Sequence, residues 1–362
     1  MKVIHVETGM HLYGGALQVF FLLRGLQPYP GEHILVCPSG SAIGKAAREF
    51  VRVVEIPCRG DHDLAFLWRL QRLLRRERPD LVHLHSRRGA DTLGGIAAKL
   101  ASVPAILSRR VDNPEPRWLV ALKYRLYARV ITISDGIRQV LLREGLPDEK
   151  IRCVPSAVDT ERYRPDGDRE WFRQELGIRD DQPVIGMIAQ LIPRKGHEVL
   201  LDALPAVLAQ LPDLQVLLFG KGPLQEPLAA EIAERGMSQT VRLMGFREDL
   251  ERIIPCLDLV VHPAYMEGLG VALLQAAACG VPIVATRAGG IPEIVKPDYN
   301  GELIDPGDSV GLGRAIQRLL ADRPLTAQMG RQGRALVEKN FSISSMVQGN
   351  LNVYRELAGR TK

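Results

Sequence analysis

The segment MEGLGVALLQAAACGVPIVA, residues 266–285, holds the side chains best suited to chemistry. Glu267 precedes a turn through Gly268 and Gly270, and a helix of small residues follows. Glycines let backbone N–H groups at the start of a helix approach an anion closely, and the helix dipole favours a phosphate at that end. A carboxylate at the lip of such a turn accepts hydrogen bonds from sugar hydroxyls. Its other reading is a helix-start carboxylate that satisfies free amides. Gln275 stands eight residues on, about two helical turns away. Elsewhere, His83 and His85 alternate along one strand and so face the same way, a spacing that a metal site can use. No third ligand is evident nearby, and the plain reading is a pair of core or cleft histidines. Arg109 and Arg110 follow another strand, suited to gripping a phosphate or carboxylate, or equally to standing as solvated arginines.

The elements that must position these residues alternate from end to end. Apolar strands are expected at 2–7, 33–38, 53–57, 80–85, 104–110, 129–134 and 151–156, and a second series at 183–191, 215–220, 241–246, 257–264, 281–286 and 301–305. Most are separated by one helix-length segment and are apolar on both faces, as parallel strands between helix layers are. The pattern predicts an α/β chain of two doubly wound, Rossmann-like domains facing a cleft. Pro165, Asp166, Gly167 and Asp168 interrupt the pattern with turn chemistry, so the domains are drawn at 1–165 and 166–340. Residues 341–362 are left for a last helix that crosses back to the first domain. Ligands of open parallel sheets settle outside the carboxyl ends of the strands.

Length and composition agree with two cores: 362 residues, 46% apolar and 25% charged. Five cysteines, far apart and without a CxxC pair, argue against a disulfide framework or a cysteine zinc site and fit a reducing cytosol. The start, MKVIHVETG, reads as a buried strand and not as a signal peptide. The charge-free run at 268–286 is broken by glycines and Pro282, so it reads as helix, turn and strand, not as a membrane span. The GxG pairs at Gly220, Gly268 and Gly311 lack the third glycine of a dinucleotide loop, and Walker A, HExxH and GxSxG motifs are absent. Charge is uneven: residues 1–160 carry 24 Lys and Arg against 16 Asp and Glu, and the remainder 23 against 26. Two stretches, 66–80 and 116–129, interleave Arg or Lys with Trp, Tyr and Leu at helical spacing. Each reads first as an amphipathic helix with a solvated basic face. The functional alternative is attraction to an anionic membrane or an acidic acceptor. Nucleic acid is not expected, since no recognised binding motif accompanies the charge.

Taken together, the GG loop at Gly14 and Gly15, DLVHLHS (80–86), RVITIS (129–134), IRCVPSAVD (151–159), the RKG at 194–196, the 266–285 block and AGGIPEIV (288–295) resemble the family 4 (group 1) retaining glycosyltransferases of the GT-B fold. The resemblance covers nearly the whole chain, and its Glu, seven residues, Glu signature falls on Glu267 and Gln275. It implies a transferase whose first domain faces the acceptor and whose second binds a nucleotide-diphosphate sugar. Glu267 would hold hydroxyls of the donor sugar, and the amides following Gly268, at Leu269, Gly270 and Val271, would meet the diphosphate or sugar. Lys195, with Arg194 beside it, would place positive charge on the leaving diphosphate, and Gly15 would bring an amide to it from the other domain. Backbone at Phe246 and Arg247 would border the base. Three departures stand out: Gln275 replaces the second Glu, Gln190 replaces an Arg at the phosphate site, and Ser156 and Ala157 replace an Asn-Gly pair. A carboxamide at 275 still accepts one hydrogen bond and donates another. His11, His85, Arg109 and Arg110 are retained as acceptor-side candidates.

Cleaving an anomeric bond to a diphosphate builds positive charge on the sugar and negative charge on the leaving oxygen. Preorganised Lys, Arg and helix amides lower that barrier without a metal, so no metal or other cofactor is expected. The expectation is therefore a retaining transferase moving a sugar to a glycan or lipid-linked acceptor in envelope biosynthesis of the lipopolysaccharide type. It would work in the cytoplasm, at the cytosolic face of the inner membrane if membrane contact holds. The alternatives are a nucleotide-sugar epimerase of the same architecture, which would release altered donor without an acceptor, and a non-catalytic nucleotide-sugar-binding protein.

Overall fold

Thirteen short strands form among the described residues of the computed structural model, which are 1–86 and 90–359. They are β1 (Lys2–Val6), β2 (Glu32–Cys37), β3 (Arg52–Glu55), β4 (Leu81–Leu84), β5 (Ala105–Arg109), β6 (Arg129–Thr132), β7 (Ile151–Cys153), β8 (Val184–Ile188), β9 (Gln215–Phe219), β10 (Val241–Gly245), β11 (Leu259–His262), β12 (Ile283–Thr286) and β13 (Gly301–Ile304). The first seven make one sheet in the order β3-β2-β1-β4-β5-β6-β7, and the others a second in the order β10-β9-β8-β11-β12-β13. Every strand pairing is parallel, because each connection carries the chain back through a helix.

Helices cover both faces of the first sheet. Successive residues of a strand point to opposite faces. Ile4, Val82 and Leu107 thus pack beneath helices Leu64–Glu77, Gly95–Leu100 and Arg117–Lys123 through Phe66, Leu70, Ala97 and Val120. Their neighbours Val3, Leu81 and Ile106 face helices Gly15–Leu26 and Ile343–Ala358 through Phe21, Leu22, Val347 and Leu351. The second sheet buries Ile185, Met187, Val216, Leu218, Val261 and Val284 against Leu200, Leu204, Leu312 and Ile316.

The chain divides into two units, Met1–Ala157 with Ile343–Lys362, and Val158–Ser342. The division falls at 157, eight residues before the turn-rich Pro165–Asp168 stretch from which the sequence reading drew it. That stretch starts a helix of the second unit: the Asp168 carboxylate accepts from the Trp171 amide at 2.9 Å and caps Arg169–Leu176. Within the first unit, Gln18 closes the end of the segment with two bonds to Ala157, at 2.7 and 2.8 Å. The last helix belongs to that unit, where Glu356 accepts from both Arg129 and Arg152. No helix among the described residues is long and apolar enough to cross a membrane. The 268–286 run is the helix Val271–Ala278, a turn and β12.

Candidate active site

Strand order reverses between β1 and β4 in the first sheet and between β8 and β11 in the second. The loops that leave these strands diverge there, which opens a crevice at the carboxyl edge of each sheet. In the second unit the loop after β8 carries Gln190, Arg194 and Lys195, and the loop after β11 carries Glu267 through Gly270. The Tyr265 amide donates to the Arg194 carbonyl at 2.9 Å and joins the two loops. Two glycines make the approach possible. Gly196 has φ of +70°, and a Cβ there would lie 2.0 Å from the Pro263 carbonyl oxygen; at Gly289, with φ of +51°, it would lie 1.8 Å from that of Glu267.

The Glu267 carboxylate is the centre of the site. One oxygen accepts from the Lys195 ammonium at 2.5 Å and from His262 Nε2 at 2.9 Å; the other accepts from the Gly268 amide at 3.1 Å. Burial by itself raises the carboxyl's pKa, but the His262 hydrogen bond and the Lys195 charge outweigh it and hold the value at about 2. Glu267 is an anion at neutral pH. Beyond it, Gly270 turns the chain with φ of +99° into helix Val271–Ala278. The amides of Leu269, Gly270 and Val271 meet no acceptor among the described residues, as the first amides of a helix do. The Gly268 amide is spent on Glu267.

His262 is a site residue that the sequence reading passed over. Its place at the end of β11, five residues before Glu267, is the signal that could have found it. Behind it, His197 is 1% exposed, and burial first, then the neighbouring His262 and Lys195, lower its pKa to about 4. His262→Leu removes a donor from a carboxylate, a bond worth about 1.5–3 kcal/mol, so turnover should fall about 10- to 100-fold. The Glu267 pKa should also rise, moving the acid limb of the kcat/KM profile to higher pH. His262→Gln, which keeps an N–H donor, should restore much of both. Unchanged profiles in the Leu variant would remove His262 from the site.

The other donor-side candidates are dispersed. Arg194 is half-buried on the turn before Gly196 and forms no ion pair among the described residues, while Gln190 is exposed. Gln275 donates to the Tyr163 hydroxyl at 2.9 Å, one turn into its helix. Phe246 is exposed after β10 with the Lys221 ammonium 5.0 Å over its ring. The Arg247 guanidinium is committed to Asp249 at 2.6 and 2.8 Å, which raises its pKa.

In the first unit, Gly15 begins helix Gly15–Leu26, and Arg110 lies so near that a Cβ on Gly15 would sit 3.2 Å from its Cδ. Arg110 reaches Ser156 at 3.5 Å; burial lowers its pKa to about 10, opposed by the charge of Glu7. Arg110 Nε, Glu7 Oε2 and His85 Nδ1 are all buried without a hydrogen-bond partner, a polar group at the carboxyl ends of β1, β4 and β5. Arg109 does not join it. Adjacent strand residues point oppositely, and Arg109, 2% exposed, pairs with Glu115 at 3.0 Å in a buried cluster with Lys123 and Asp91. His11 is exposed and stacks on Tyr13 at 5.5 Å.

The third imidazole that the sequence reading did not find beside His83 and His85 is His5, paired with His83 across β1 and β4. Their candidate ligand atoms lie within 4.8 Å of one another. His5 bonds His85 and His33 at 3.1 Å each, and His83 bonds Tyr354 at 2.7 Å and Ser108 at 2.9 Å. Burial lowers the pKa of all three. They form a hydrogen-bonded cluster of neutral rings, and of their six nitrogens only His85 Nδ1 lacks a partner.

The model of the family "Glycosyl transferases group 1" matches residues 168–336, and that of "Glycosyltransferase Family 4" matches 13–162. The chain belongs to the group 1 glycosyltransferases and has the GT-B fold. It is 26% identical, over 99% of its length and 97% of the relative's, to the Escherichia coli UDP-Gal:alpha-D-GlcNAc-diphosphoundecaprenol alpha-1,3-galactosyltransferase. A GDP-mannose-dependent phosphatidylinositol monomannoside mannosyltransferase of Corynebacterium glutamicum is 36% identical over 55% of each chain, so the match spans about half of that relative. Among solved structures, Anabaena HepE in complex with UDP and glucose superposes with a TM-score of 0.85, at 23% identity, over 98% of this chain and 99% of that one.

Proposed function

We propose that this chain moves a sugar from a nucleoside-diphosphate sugar to a glycan or lipid-linked acceptor, with retention at the anomeric carbon. The observation that carries the reading is the Glu267 carboxylate, held anionic by Lys195, His262 and the Gly268 amide beside a helix start whose amides lack acceptors. An anion that accepts from sugar hydroxyls and fixed positive groups that receive a diphosphate are the two things such a donor requires. Lys195 has three ammonium hydrogens and spends one on Glu267, leaving two for leaving-group oxygens. Arg194 and the amides of Leu269 to Val271 add to the same field. The transfer needs no metal, because these groups meet the charge that develops on the leaving oxygen.

The relatives support the donor and acceptor classes. The E. coli enzyme is named for a UDP-sugar and a lipid diphosphate, and HepE is described with UDP and glucose. A role in envelope glycan assembly, of the lipopolysaccharide type, at the cytosolic side of the membrane, fits an acceptor of that kind. Gln275, tied to Tyr163, is the expected contact for the ribose. The test is thermal unfolding of the whole chain against nucleoside diphosphates and their sugars, followed by transfer to a lipid-diphosphate acceptor with the anomer read by NMR. A ligand that binds only the folded state raises the midpoint, by about 2.7 kcal/mol of stability at a hundredfold excess over Kd. Donor binding with epimerised sugar released, or with no transfer to any acceptor, would overturn the reading.

A further inference from the structure

Two of the three tryptophans of the chain lie on the outer side of one helical layer, exposed to water. Helix Leu64–Glu77 buries Phe66, Leu67, Leu70, Leu73 and Leu74 and turns outward Leu64 (64% exposed), Trp68 (60%), Arg72, Arg75 and Arg76. In the same layer, helix Arg117–Lys123 turns outward Trp118 (70%) and Leu122 (63%), with Arg125 exposed just beyond. Helix Gly95–Leu100 runs between them with Lys99 and Leu100 exposed, and the Leu100 carbonyl accepts from Arg75 at 3.1 Å. Singly exposed apolar residues need no explanation, but several large ones set among cations on one face do.

The charge of the face is one-sided. Arg72, Lys99, Arg117 and Arg125 form no ion pair among the described residues. Most acids of these helices and their flanks are already engaged: Asp91 and Glu115 on Lys123, Asp63 on the Phe66 amide and Arg69, and Glu77 on Lys2, Arg52 and Arg76, while Asp61 is exposed. Tryptophan and leucine among unpaired arginines match a surface that is apolar below and anionic above, where rings and stems enter the acyl boundary and guanidinium groups meet phosphates. A second copy of the chain would bring like charges together, which costs affinity.

We propose that this face, carried by Leu64, Trp68, Trp118, Leu122 and the arginines around them, docks on an anionic lipid bilayer. The proposal goes beyond the donor and acceptor reading and does not depend on it. The test is flotation of the full chain with vesicles of phosphatidylcholine alone and of equal parts phosphatidylcholine and phosphatidylglycerol. Binding should require the anionic lipid, weaken with added salt and shift tryptophan emission to shorter wavelength. Trp68→Ser with Trp118→Ser, and separately Arg72→Glu with Arg125→Glu, should each lower partitioning by at least about tenfold while leaving the thermal midpoint nearly unchanged. Trp171, with the Arg252 guanidinium 3.7 Å over its ring in the second unit, remains as an internal reference. Absence of binding to anionic vesicles, or binding by either variant as strong as that of the parent chain, would overturn the proposal. So would a dimer of the parent chain that the Trp variant loses, which would give the face to a second copy.

Discussion

Glu267→Gln is expected to lower turnover by about 10²–10³-fold, the usual cost of one preorganised polar group in a charge-stabilising site. The substitution keeps the shape and leaves an oxygen for the Gly268 amide, so the change is almost purely one of charge. It removes the anion that holds Lys195 at 2.5 Å and receives His262 at 2.9 Å. The loss should appear in kcat more than in nucleotide binding, because Lys195, Arg194 and the helix amides remain for the diphosphate. The same variant has a signature in stability. Glu267's pKa is depressed in the fold, from an ordinary 4.5 to about 2, so its contribution is fully present above pH 4.5 and fades as pH falls toward 2. The difference in unfolding free energy between parent and variant should shrink across that window. A variant with full activity would show that Glu267 only caps its own turn.

The second large effect concerns two adjacent arginines. Arg109→Leu should destabilise the first unit by about 3–5 kcal/mol, measured by urea unfolding, because it strands part of a buried charge cluster. Glu115 would keep Lys123 at 3.1 Å and the Tyr124 hydroxyl at 3.1 Å but lose Arg109 at 3.0 Å, with almost no water to replace it. Burial raises the Glu115 pKa while the charges of Arg109 and Lys123 lower it, so the lost cation returns the balance to burial. Arg110→Gln should change stability by no more than about 1 kcal/mol and instead lower transfer, since Arg110 borders Gly15, Glu7 and Ser156. If Arg110→Gln unfolds the unit and Arg109→Leu does not, the division of labour is reversed.

The tendency to form thirteen parallel strands is written locally. A strand covered by helices on both faces must be apolar on both, and runs such as HILVC at 33–37 and PVIGMI at 183–188 declare it without reference to any distant residue. Glu267 was legible for a similar reason: the carboxylate, the glycine turn and the helix that follows are consecutive, and their chemistry needs no partner from afar to be recognised.

What only the tertiary structure decided are partnerships between residues far apart in the chain, and the directions in which side chains point. His5 meets His83 because β1 and β4 are neighbours in the sheet, a register that no spacing in the chain announces. Arg109 and Arg110 read alike in sequence and part company because a strand sends successive side chains to opposite faces. The turn-rich stretch at 165–168 reads locally as a turn, but that Asp168 caps a helix and that the compact units part at 157 depend on packing. Propensity and apolar pattern act over a few residues and therefore survive in the linear text. Charge pairing and burial depend on which surfaces the finished sheets bring together.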